Sequence, residues 1–247
     1  MKVVACYNIK GGVGKTATAV NLAFVAAREG ARVLVVDLDP QGAATFYFRV
    51  KPKVKGGGKG LVSGKRDLDD LIKATDHDRL DLIPADFSFR NLDLLLDAEK
   101  KSKKRLARQL KPLAGDYDYV ILDCPPSVSL VSETVFHAAD ALVVPLIPTT
   151  LSLRTYEQLG TFREEEKLTG LRLLPFFSMV DRRKTMHRDI VDSFPESHGE
   201  ALPVSVPYSS VVERMGSERA PLAAFAPKSA PAAAYEMLWA EIARRIG

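Results

Sequence analysis

A chain of 247 residues, 46% hydrophobic and 27% charged, can bury a full core and reads as an ordinary soluble globular protein. Its net charge of +4 permits binding to a polyanion without requiring it. Two cysteines, Cys6 and Cys124, both inside apolar runs, argue against a disulfide scaffold, and four scattered histidines (His77, His137, His187, His198) show no metal-ligand spacing. No apolar run approaches the ~20 residues that span a bilayer, and the N-terminus lacks a secretory signal pattern, so a cytoplasmic protein is expected.

In chain order, the predicted elements alternate. Residues 2–8 (KVVACYN) read as a strand feeding a glycine-rich turn, and GKTATAVNLAFVAAREG reads as a helix ending at a glycine suited to its C-terminus. Strands are then predicted at 31–39, 80–84, 118–125, 140–148 and 171–180. Several are continuously apolar, as expected of strands covered on both faces. This alternation predicts a doubly wound α/β fold: a mainly parallel sheet with helices on both faces, in one domain over 1–247. Two stretches break the pattern. Residues 51–66 carry six basic residues, five glycines and no acid, which predicts a mobile surface loop. The basic stretch 99–111 places Leu106 and Leu110, with Leu113 just beyond, at helical spacing, predicting a surface helix with one buried edge.

The chemistry concentrates in YNIKGGVGKT, residues 7–16. A strand, a glycine turn and a helix in that order form the context of a phosphate-binding loop. Gly11, Gly12 and Gly14 let the backbone around Val13 bend so that amides converge on phosphate oxygens at the positive end of the helix. Lys15 brings a charge to the terminal phosphates, and the Thr16 hydroxyl is a natural magnesium ligand. A second lysine, Lys10, stands before the glycines, and Ile9 occupies the place where the standard P-loop has glycine. Asp123 ends the most hydrophobic strand, where a carboxylate is costly unless it serves an ion. Asp37 lies near the end of the strand predicted over 31–39 and suits magnesium or its waters. Each aspartate could instead cap the helix that follows.

With Lys10 in front and Lys15-Thr16 behind, KGGVGKT is the deviant Walker A motif, and the chain resembles the ParA/MinD superfamily of ATPases. VLVVDLDPQGAAT (33–45), YDYVILDCPPS (117–127), SMVDRR (178–183) and APKSAPAAAYEMLWAEI (226–242) resemble further family segments, in the order of the small ParA branch. The resemblance implies a P-loop NTPase fold, with ATP and Mg2+ as cofactors. It implies Asp39 as the residue that activates the attacking water, Asp123 reaching magnesium through water, and Asp181 and Pro207 along the adenine. It implies that Lys10 crosses a dimer interface to the partner's phosphates. Ala17 stands where relatives often carry a hydroxyl, so the α-phosphate contact there falls to backbone, and Ala43 stands where many have Asn.

The same resemblance implies an ATP-dependent homodimer that binds non-specific double-stranded DNA, located on the nucleoid. An adaptor, ParB-like or McdB-like, would stimulate hydrolysis and connect the ATPase to its cargo. Candidate DNA contacts are Arg182, Arg183, Lys184, Arg188, Arg214 and Arg219, with the basic runs 51–66 and 100–111 as rivals. Any one of these could be a solvated surface charge. Because Lys10 comes so early, no N-terminal helix-turn-helix extension is expected. A MinD-like membrane role is the alternative, since Tyr235, Leu238, Trp239, Ile242 and Ile246 share a face of the last helix; core packing produces the same spacing, and no membrane partner is expected. Cysteines inside strands do not suit an iron–sulfur relative, and the cobyrinate and dethiobiotin synthetase relatives lack the front lysine.

Overall fold

The structure is a computed structural model that describes residues 1–62, 67–99 and 102–247. Eight strands form one sheet: β1 (Lys2–Cys6), β2 (Val33–Asp37), β3 (Lys73–Ala74), β4 (Leu80–Ile83), β5 (Tyr119–Asp123), β6 (Ala141–Leu146), β7 (Arg172–Val180) and β8 (Ser205–Pro207). Their spatial order is β3-β4-β2-β5-β1-β6-β7-β8. Every pairing is parallel except β3 with β4. The expected mainly parallel, doubly wound sheet is therefore present.

Alternation along each strand divides the core between the two faces. Val4, Cys6, Val33, Val35 and Ile121 pack on one side with helix α1 (Lys15–Arg28) and the last helix, Ala230–Ile246. Val3, Ala5, Leu34, Val36 and Leu122 pack on the other, with Val131, Val135 and Phe136 of the helix Leu130–Ala138. Because both faces are covered, the central strands lack an exposed polar repeat and read as unbroken apolar runs.

The register aligns the strand ends that matter. Asp123 lies opposite Cys6 on one side and Asp37 on the other, so β1, β2 and β5 finish side by side. The P-loop leaves β1 there and the turn 38–42 leaves β2. Two edge strands escape sequence analysis, because β3 and β8 are two and three residues long, too short to show a period.

The expectation of a mobile loop at 51–66 is corrected over its described part. Residues 57–62 form a helix, and Val54, Leu61 and Val62 are buried in the core. The segment is tied down where Val54 N donates to Asp86 and Gly58 N to the Ser88 hydroxyl. Its last four residues, 63–66, lie outside the described residues, as do 100 and 101 of the second basic run. The rest of that run behaves as expected: Arg105–Leu110 is helical, and Leu106, Leu110 and Leu113 are buried.

Candidate phosphate site at the strand ends

Strand β1 ends at Cys6, and the loop that follows is held from inside. The Asn8 side chain donates to the Pro145 carbonyl at 2.8 Å and accepts from Lys10 N at 2.9 Å. The Ser178 hydroxyl donates to the Val13 carbonyl at 2.7 Å, fastening the loop to β7. Gly12 and Gly14 adopt φ of 72° and 94°, left-handed values that a side chain would strain. Gly14 is also the N-cap of α1 and offers no side-chain acceptor to the first helical amides. Those amides face the loop, which gives an anion their partial positive charge. Thr16 and Ala17 sit in this first turn.

The two lysines differ in the way their spacing suggests. Lys15 is buried, and its ammonium donates to the Lys10 carbonyl at 2.8 Å. Burial pulls its pKa down, opposed first by the charge of Asp123. Lys10 is half-buried, and among the described residues its ammonium has no hydrogen bond or ion pair. One lysine is thus folded into the cradle while the other is available at its mouth.

Asp123 is fully buried, and among the described residues neither carboxylate oxygen has a hydrogen-bond partner of good geometry. Burial raises its pKa well above the carboxylate range and the neighbouring Asp37 adds to this, while the nearby Thr16 hydroxyl and Lys15 oppose it. Two unpartnered buried oxygens beside a threonine hydroxyl fit a divalent cation, whose charge would remove the penalty. Among the described residues no group of three or more His, Cys, Asp or Glu could hold a metal alone. A cation here would therefore draw further oxygens from a bound phosphate or from water.

Asp37 is buried with its oxygens already engaged. One accepts from Thr45 N at 2.8 Å and from the Thr45 hydroxyl at 2.6 Å; the other accepts from Asp39 N at 3.3 Å. Burial is the largest influence on its pKa and raises it against these bonds. Asp39 lies beyond the end of β2, in a turn, rather than on the strand expected over 31–39; there it accepts from Gln41 N at 2.9 Å. Sequence reasoning does not find Thr45. It stands inside a recognised segment, but a threonine in a short helix carries no signal that it will hold a buried carboxylate. Asn8 escapes it too, although a polar residue ending an apolar run before the glycines is itself a signal.

Asp181 follows β7 and Pro207 ends β8; Val180 pairs with Pro207, so the two residues are neighbours across the strand ends. The Asp181 carboxylate is engaged by Arg183, with both contacts at 2.9 Å, which holds its pKa down at about 2. Met179, two residues before Asp181, has φ of 54° and lies near Gly14 of the P-loop. The DNA candidates divide into two groups. Arg182, Arg183, Lys184 and Arg188 are exposed after β7, with Arg188 donating to the Arg182 carbonyl at 2.8 Å. Arg214 pairs with Glu218 at 2.7 Å, while Arg219 donates to the Phe46 carbonyl and covers its ring. Arg183, Arg188, Arg214 and Arg219 are thus all engaged locally.

A doubly wound sheet with a glycine loop between its first strand and first helix, and an orphaned aspartate beside it, defines a P-loop nucleotide-binding protein. The chain belongs to the family described as AAA domain, matched over residues 1–169, and within it to the ParA/MinD superfamily on the Soj-like branch. It is 32% identical to the sporulation initiation inhibitor protein Soj of Bacillus subtilis over 98% of both chains. It is 30% identical to the chromosome partitioning protein ParA of Caulobacter vibrioides, over 87% of this chain and 81% of that one. Among solved structures it resembles cobyrinic acid a,c-diamide synthase from Mycobacterium smegmatis, bound to an ATP analogue and magnesium, with 29% identity and a TM-score of 0.82 over 99% and 95% of the two chains. An ATP complex of an aspartate-to-alanine variant of McdA from Cyanothece has a TM-score of 0.83 at 22% identity, covering 98% and 96%, a likeness of fold alone.

Proposed function

We propose that this protein is a ParA-type, magnesium-dependent ATPase, one domain over 1–247, that dimerises with ATP and binds double-stranded DNA without sequence preference. Its cycle positions or partitions a cargo, a chromosome, plasmid or protein assembly, through hydrolysis stimulated by a ParB-like or McdB-like adaptor. The observation that carries this reading is the pair of lysines: Lys15 turned into the cradle and, among the described residues, the Lys10 ammonium without a partner at its mouth.

In this reading the amides of Gly11, Gly12, Val13 and Gly14 and the first turn of α1, with Thr16 and Ala17, hold the phosphates. Lys15 exchanges its carbonyl partner for phosphate oxygens, and Lys10 reaches the phosphates bound by the second copy. Thr16 and Asp123, with Asp37 behind them, would hold magnesium, which neutralises phosphate charge when bound. Asp39 orients the attacking water and accepts its proton, and Asp181 and Pro207 lie along the base. Arg182, Arg183, Lys184 and Arg188, then Arg214 and Arg219, are the C-terminal DNA contacts, acting from the nucleoid-bound, cytoplasmic state. Lys10 supports partition over small-molecule ligation. The buried apolar face of the last helix argues against the MinD-like alternative.

The test is binding to random-sequence duplex DNA with and without ATP and magnesium. ATP should raise affinity and half-molar salt should abolish it. Binding that ignores nucleotide, or that survives that salt, contradicts the proposal.

A further inference from the structure

The sequence Arg49-Val50-Lys51-Pro52-Lys53-Val54-Lys55 contains four cations and no acid. The fold gives these residues a shape. Val54 is buried and its amide is bonded to Asp86, while Lys51, Lys53 and Lys55 are exposed. Arg49 is fixed as it donates to the Arg219 carbonyl at 3.1 Å and the Glu218 carbonyl at 2.9 Å. Lys73 joins from β3, the edge strand of the sheet. Together these five line a surface cavity of about 580 Å³ in which Asp76 is the one carboxylate. Among the described residues none of the four lysines has an ion pair.

Clustered lysines repel one another, and a fold that holds four around a cavity with a single lining carboxylate gains when an anion neutralises them. The cavity offers point charges on flexible stems and few hydrogen-bonding side chains of fixed geometry, which suits a repeating, sequence-independent anion. We propose that this groove binds the phosphate backbone of double-stranded DNA. It forms a second contact surface, separate from the arginines after β7. β3 and β8 are opposite edges of the sheet and β7 adjoins β8, so the groove lies across the sheet from the arginines after β7, whereas Arg219 adjoins it through Arg49. The inference rests on the DNA-binding reading above and adds a surface to it.

The experiment compares the salt dependence of binding to random-sequence duplex DNA for four proteins. These are the wild type, the triple variant Lys51→Gln/Lys53→Gln/Lys55→Gln, the matching triple Lys→Arg variant, and Arg182→Gln/Arg183→Gln. Each phosphate contact adds about 0.9 to the slope of log affinity against log salt. The Gln triple should flatten the slope by about 2 to 3, with at least a tenfold loss of affinity at low salt, while basal ATPase activity is unchanged. The Arg triple should retain the wild-type slope. A Gln triple with the wild-type slope overturns the groove while leaving DNA binding itself intact. A wild type that binds no DNA overturns both. Loss of binding to polyglutamate with an unchanged DNA slope would also overturn it, by assigning the groove to an acidic protein.

Discussion

The Asp123 carboxylate is the residue most at odds with its surroundings. Its folded form binds a proton more tightly than the unfolded chain does, because burial disfavours the charge. Between the unfolded pKa, near 4, and the raised folded value, the nucleotide-free protein therefore loses stability as pH rises. Asp123→Asn removes this loss, so the nucleotide-free variant should be more stable at neutral pH by about 1–3 kcal/mol, read as melting temperature across pH. The stabilisation of wild type by magnesium and ATP should vanish in the variant. Parallel pH profiles for the two proteins would contradict the assignment. Lys10 presents the opposite case, since its ammonium has no partner among the described residues. Lys10→Ala should leave monomer stability within about 0.5 kcal/mol. In trans, the lysine is comparable to an arginine finger, whose removal costs 10³–10⁵ in turnover. Sedimentation should show no ATP-induced dimer, and a variant that dimerises and hydrolyses normally would return Lys10 to the solvated surface.

Element by element, legibility follows period. The six longer strands are visible because a short, continuously apolar run bounded by turn residues suits a strand covered on both faces. The P-loop is visible because glycines, lysine and threonine occur between a strand and a helix. The two edge strands have no period to show. The segment 51–62 departs from expectation for a different reason. Its glycines suggest freedom, whereas Gly58 and Gly60 supply closeness: a Cβ on Gly58 would lie 3.1 Å from Leu95, and one on Gly60 would lie 2.6 Å from the Lys55 carbonyl oxygen. Composition does not distinguish a glycine that bends from one that packs. Gly60→Ala should therefore destabilise by about 1–3 kcal/mol in urea unfolding, because backbone must move. Gly216→Ala, with nothing within 4 Å of its Cβ and a helical position, should be neutral or stabilising by up to about 1 kcal/mol. Equal effects at both positions would mean that the 57–62 helix does not pack as described. At the site, the aspartates are legible as strand ends, but the Thr45 bonds to Asp37 are not, because they join residues through a turn rather than a repeat.

At the scale of the whole molecule, the last helix decides whether the protein has a membrane-seeking face. Its apolar residues Tyr235, Leu238, Trp239, Ile242 and Ile246 are all buried against the face of the sheet that carries α1, and the Trp239 ring meets Tyr119 edge-on at 4.8 Å. An amphipathic anchor must present such residues to lipid, and this helix can do so only by leaving the core. The same residues thus yield opposite outcomes under the two roles. As a core residue, Trp239→Ala should cost about 3–5 kcal/mol, seen as an early thermal transition. Flotation of wild-type protein with anionic liposomes and ATP should be negative. As an anchor residue, the substitution would leave the melting temperature unchanged and abolish a flotation that the wild type displays. The helix ends in Arg244 and Arg245, which share the Glu241 carboxylate, so these cations are held along the helix, and flotation at physiological salt, where general charge attraction is screened, is the reading that separates the two roles.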